Sequence, residues 1–248
     1  MKGLKYVSWS DQTGYAVAAK AYLYALIEVG INLSWTPMVQ GEKQYVTYHD
    51  KQWPCPVLQA FCNKDIDYDT VIIHTVPEYY PEWIKKEKPK SCRVLGYTVW
   101  EHEQLPDHWP AILNQLDGVI VPCKWNAQAF RNSGVTVPIH VVAHISQFER
   151  SKEISKSGKK GFQSYLGKYA DQERFIFYSI GYWSNRKAPF LAIEAYLKAF
   201  DANDNVLMLV KTSAKDVTRW QRNWRSGFRR RSPSPLISAE RLKSKYPN

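Results

Sequence analysis

The residues from Leu95 to Ile145 constrain the fold more than any other part of the chain. Apolar runs at Val94 to Val99, Val119 to Val121 and Ile139 to Val142 alternate with amphipathic segments at Trp109 to Leu116 and Asn126 to Asn132. Strand-sized apolar runs separated by helix-sized amphipathic ones predict parallel strands, crossover helices and a sheet covered on both faces. The polar residues gather where the strands end: Thr98, Glu101 and His102 after the first, Pro122 and Lys124 after the second, His144 after the third. Ligands of open α/β sheets bind outside the carboxyl ends of the strands. The stretch is therefore expected to be both a domain core and one wall of a site.

The same alternation extends toward the N-terminus. Leu4 to Trp9 can open a sheet and breaks at "SDQTGY", where Ser10, Asp11 and Gly14 supply turn chemistry and a helix cap. Tyr15 to Val29 follows as a helix, with Tyr15, Ala19, Tyr22 and Leu26 at helical spacing and Gly30 placed to end it. A strand, a turn bearing the single glycine Gly14 and a helix start make either an anion cradle or a plain turn. Asn32 to Met38 reads as a second strand, after which periodicity dissolves until Asp67; so long a connection is often functional or only locally ordered. Thr70 to His74 resumes as a buried strand and leaves His74 at its end, either a satisfied structural histidine or a cleft group.

Beyond His144 the pattern changes. "SKEISKSGKKG" has few apolar positions and predicts a linker over 151–172, between an N-terminal Rossmann-like domain over 1–150 and a second domain over 173–248. Arg174 to Gly181, Pro189 to Phe200 and Val206 to Val210 form a new strand–helix–strand unit, followed by two basic helices at Asp216 to Phe228 and Ser238 to Lys245. "NRKAP" puts Arg186 and Lys187 on a loop entering a helix, where two cations beside helix N–H groups suit a diphosphate. An exposed basic loop is the plainer reading. Two strands alone are marginal as a sheet, so this second domain is expected to be incomplete.

Net charge is +11, and Thr212 to Asn248 holds 10 Lys or Arg against 2 Asp or Glu, so 10 − 2 = +8 lies in the tail. Such a tail suits nucleic acid, an acidic membrane surface or an acidic protein, or is simply a solvated helix face. Cys55, Cys62, Cys92 and Cys123 form no CxxC pair and no zinc pattern, which points to free thiols in a reducing compartment. No signal-peptide run and no stretch of roughly 20 apolar residues is present. The expectation is a soluble cytoplasmic protein, with 212–248 as a peripheral membrane or other anionic contact.

Three blocks carry a resemblance: "TGYAVAAKAYLYAL"; "YTVWEHEQLPDHWPAILNQLDGVIVPCKWNAQAFRNSGV" with "PIHVVAHI"; and "FIFYSIGYWSNRKAPFLAIEAYLKAF" before "LMLVKT". Together they resemble the retaining glycosyltransferases of family 4, which have the two-Rossmann-domain GT-B fold. The resemblance implies transfer of a hexose from a nucleotide sugar to a hydroxyl acceptor, with no protein-bound metal and no cofactor beyond the donor substrate. It implies that Gly14 and Tyr15 approach the donor phosphates and acceptor, and that Lys187, with Arg186 beside it, neutralises the diphosphate leaving group. Glu101 falls near a polar residue of the catalytic cleft, and His74 and His144 are further cleft candidates. The chain departs from the family at Cys123, where a serine is usual, and at Tyr182, where many relatives carry arginine. It also lacks the Glu-x₇-Glu motif that holds the donor's sugar and ribose. A truncated or split enzyme is expected, its second domain completed by another chain; the alternative is a non-catalytic protein that binds an anionic partner through its basic tail.

Overall fold

The computed structural model describes residues 1–145 and 174–212. The chain divides into two compact units, Met1–Ser151 and Lys152–Asn248. The linker expected over 151–172 and the two basic helices of the tail lie outside the described residues.

The first unit is an α/β domain around one seven-stranded sheet. Its strands are β1 (Leu4–Trp9), β2 (Leu33–Gln40), β3 (Tyr45–Thr47), β4 (Thr70–His74), β5 (Arg93–Tyr97), β6 (Gly118–Val121) and β7 (Ile139–Val141). They lie in the order β3-β2-β1-β4-β5-β6-β7, and every pairing is parallel except that of β3 with β2. The helices are α1 (Gly14–Glu28), α2 (Pro56–Gln59), α3 (Tyr80–Glu87), α4 (Trp109–Leu113) and α5 (Lys124–Asn132). From β1 the chain runs through α1 to β2 on one side, while from β4 it runs through α3 to β5 on the other. The topological switch point, where such sheets open a crevice, thus falls between the ends of β1 and β4.

Alternation along β1 explains the two faces. Leu4 and Tyr6 pack with Ala19 and Leu23 of α1, with Leu33 and Trp35 of β2, and with Leu58. Val7 points the other way, into a core of Val71, Ile73, Tyr80, Trp83, Val94, Leu113 and Phe130. Gly96 of β5 is obligatory: a Cβ there would lie 2.5 Å from the Tyr80 ring and 2.8 Å from Leu116. Gly30 and Gly134 end α1 and α5 in the left-handed region, at φ 72° and 93°. The cap of α1 is Thr13, not Ser10 or Asp11, and its hydroxyl accepts from the Ala16 N–H.

The connection from Val39 to Asp67 is ordered. β3 pairs antiparallel with the end of β2, and farther along the same edge Trp35 exchanges backbone bonds with Phe61 and Asn63, each 2.7 Å. Trp53 meets the Trp35 and Tyr48 rings edge to face. This segment covers a sheet edge that would otherwise expose unpaired peptide groups.

The second unit, in its described part, pairs β8 (Phe175–Ile180) in parallel with β9 (Val206–Lys211), with α6 (Pro189–Ala199) between them in the chain. Tyr196 of α6 packs against Phe177 and Phe200. Among the described residues no helix is long and apolar enough to cross a membrane.

Candidate functional site

At the carboxyl edge of the first sheet, side chains from four strands and α1 meet. His74 ends β4 buried, with Nδ1 2.7 Å from the Tyr6 hydroxyl and its ring 4.1 Å from the centroid of Tyr97. Burial, with a smaller contribution from nearby His144, pushes the His74 pKa down to about 3. A histidine so placed stays neutral at ordinary pH and does not exchange protons with a ligand. Burial and the bond to Tyr6 give His74 the surroundings of a structural histidine.

Tyr15, in the first turn of α1, reaches across the edge. Its hydroxyl shares a hydrogen bond with Thr98 Oγ1 at 2.9 Å and donates to the Val99 carbonyl at 3.1 Å. Burial raises its pKa, so it remains a phenol. Two turns further along, Tyr22 donates to the Ala143 carbonyl at 2.6 Å and lies 2.9 Å from the Tyr97 hydroxyl. The Tyr97 hydroxyl is in turn 3.3 Å from His144 Nδ1. His144 is exposed, and its pKa is lowered by partial burial of the ring. The structure thus brings Tyr15, His74 and His144 into one aromatic network. Gly14 starts α1 beside it, and a Cβ at Gly14 would meet nothing within 4 Å. Glu101 lies exposed in the loop after β5, on the same edge.

Asp11 is a group that sequence reasoning treated only as turn chemistry. Its carboxylate accepts from the Thr13 N–H at 2.9 Å, from the Thr13 hydroxyl at 2.7 Å and from the Tyr45 hydroxyl. Burial pushes the carboxyl up, but the bonds from Thr13 and Tyr45 outweigh it and hold the pKa below its ordinary value. Burial and the bond to Asp11 lift Tyr45 to about 12. The Tyr45 ring stacks on Trp9 at 4.2 Å and 10°. The β2–β3 hairpin is thereby fastened to the β1–α1 loop. The only local signal was an Asx-turn pattern, which says nothing about a tyrosine 34 residues away.

In the second unit, Arg186 and Lys187 occupy a 3₁₀ turn, Asn185–Lys187, just before α6, and both are exposed. The Lys187 stem lies over the end of β8: a Cβ on Gly181 would be 3.7 Å from Lys187 Cγ. Ala188 follows at φ 46°, a left-handed conformation that costs a non-glycine residue roughly 1–2 kcal/mol. Such strain collects at ligand clamps. Pro189 then starts α6, where its missing N–H costs nothing. Among the described residues no group of three or more His, Cys, Asp or Glu could hold a metal ion. No protein family matches the sequence, and no curated protein matches it.

Proposed function

We propose that the chain is a glycosyltransferase of the GT-B kind, moving a hexose from a nucleotide sugar to a hydroxyl acceptor. In this reading the carboxyl edge of the first unit receives the acceptor, and the second unit receives the donor's diphosphate. The observation that carries it is the position of Arg186 and Lys187: two exposed cations on a strained turn, between the end of a parallel strand and the start of a helix. That position combines side-chain charge with the helix dipole and suits a leaving diphosphate. Stabilising the departing charge would be the main catalytic contribution, as it is wherever preorganised donors meet a developing anion. Glu101 and the Tyr15–Thr98 pair would face the acceptor. The described β8–α6–β9 unit supplies one strand–helix–strand portion of the donor side, and further strands, from this chain or a second one, would complete it.

Calorimetric titration of the purified chain with UDP- and GDP-sugars tests this reading. Micromolar binding that weakens at least tenfold in the Arg186→Ala/Lys187→Ala double variant is expected. Absence of binding to every nucleotide sugar, or binding indifferent to that double variant, overturns it.

A further inference from the structure

The hairpin formed by β2 and β3 reaches over the mouth of the switch point. β3 lies at the edge of the sheet, yet Tyr45, its first residue, touches two loops that belong to inner strands. Its hydroxyl donates to the Asp11 carboxylate, in the loop after β1. Its N–H donates to the Tyr79 hydroxyl at 3.1 Å, in the turn after β4. Its ring stacks on Trp9, the last residue of β1, at 4.2 Å and 10°. The loops after β1 and β4 are the two walls of the crevice that such a switch point opens. One side chain of the hairpin therefore spans it from wall to wall.

The rest of the hairpin is held lightly. Glu42, Lys43 and Gln44 at its tip are exposed and Val46 is 44% exposed, whereas Tyr45 packs against the core. β3 pairs with β2 over only three residues. The far end is fixed separately, since the Tyr48 N–H donates to the Pro37 carbonyl at 2.9 Å and the Tyr48 ring packs on the cluster beneath α1. A segment with few buried contacts opens at a lower free energy than the strands beneath it. The closed position also carries a cost. Tyr15, Tyr45 and Tyr79 all lie against the Trp9 indole, yet its Nε1 is buried without a hydrogen-bond partner among the described residues. A buried donor left unpaired is unfavourable, and lifting Tyr45 off the ring would return it to water. One anchor set against one orphaned donor makes an element with two positions close in free energy.

We propose that residues 41–47 are a strap, latched by Tyr45 onto Asp11 and Tyr79, that shuts the crevice between β1 and β4 and swings as a unit to open it. Release of Tyr45 uncovers Trp9 and gives access to the carboxyl edge of the first unit. The strap is a property of that unit's own fold and does not depend on the glycosyltransferase reading.

Hydrogen exchange and hydroxyl-radical footprinting on the full chain, both read by mass spectrometry, test this. The amides of 41–47 are expected to exchange at least tenfold faster than those of β1 and β4, through an opening that low urea does not promote. Tyr45→Phe keeps the stack and removes the bond to Asp11. It should quicken exchange across 41–47 by roughly a further tenfold, the worth of a bond to an ionised carboxylate, and leave β1 and β4 unchanged. Asp11→Asn, whose amide oxygen still accepts, should act in the same direction to a smaller degree. Footprinting separates a gate from a merely mobile hairpin, because each tryptophan is read on its own. Oxidation of Trp9 should rise several-fold in Tyr45→Phe, while the buried Trp35 and Trp83 stay protected. The proposal is overturned if 41–47 exchanges only together with β1 and β4, if neither variant quickens it, or if Trp9 oxidation stays level when exchange quickens.

Discussion

The two edges of the seven-stranded sheet handle buried polar groups in opposite ways. At the amino edge Glu87, at the end of α3, is a fully buried carboxylate with a complete set of partners. Lys5 donates to it at 2.8 Å, Lys90 at 2.9 Å and Tyr68 at 2.9 Å. Burial pushes the Glu87 carboxyl up, but the bonds from Lys5 and Lys90 hold it below the ordinary value. At the carboxyl edge the deeply buried groups, His74, Tyr6 and Thr98, are neutral, and the charges stand in part-exposed loops. A charge satisfied inside the protein leaves nothing for a ligand. Neutral, partly exposed aromatics flanked by carboxylates leave a good deal. In the glycosyltransferase proposal, this difference is what would separate a structural edge from a binding one.

The largest expected effect breaks the amino edge. Glu87→Gln strips the partly buried Lys5 of its counter-charge inside the protein and should cost about 3–5 kcal/mol in urea unfolding. The Lys5→Met/Glu87→Leu double variant should recover most of that loss. A cost below about 1 kcal/mol would mean that the edge is not held by its ion pair.

An acid titration sharpens the other side. The folded His74 pKa is about 3, against an ordinary 6.5, so between those values the unfolded chain takes up a proton that the native state refuses. Stability therefore falls as pH drops below about 6.5, by roughly 1.4 kcal/mol per pH unit, or about 2 kcal/mol by pH 5. His144 adds a contribution of the same sign, because its pKa is also lowered. Glu87 acts only at lower pH, since the stability from its depressed pKa is lost below the ordinary carboxylate value. His74→Gln should flatten most of the slope between pH 6.5 and 5; a slope that survives in this variant assigns the acid sensitivity elsewhere.

The smallest effect concerns the network itself. Tyr15→Phe removes the bonds to Thr98 and Val99 and should cost about 1 kcal/mol. Hydrogen exchange should quicken at the start of α1 and after β5, while the amide protons around Glu87 keep their protection.

Much of the architecture was readable from local pattern. β1 and β4 fall at the residues expected from their apolar runs, Leu4–Trp9 and Thr70–His74. α3 was missed, because "YYPEWIKKE" places Pro81 and bulky aromatics where helix propensity is low; in the structure Pro81 sits in the first turn, where it is tolerated. Helix α4 is shorter than its amphipathic segment: it stops at Leu113, and 114–116 turn toward β6. β3 and α2 carried too few residues to show a period.

For the site, the sequence placed polar residues at strand ends, where Glu101, His144 and the Arg186–Lys187 turn are found. It could not say that His74 would be neutral, because that depends on Tyr6, Tyr97 and α1 closing over the ring. Nor could it pair Asp11 with Tyr45, which come together only once β3 folds back onto β2.

By itself the sequence determined the alternation of strands and helices, the stops at Gly30 and Gly134, and which residues stand where strands end, since each follows from contacts between near neighbours. Only the tertiary structure decided the strand order, the switch point between β1 and β4, and the charge state of what gathers there. Those depend on desolvation and on partners tens of residues away, which no local period records.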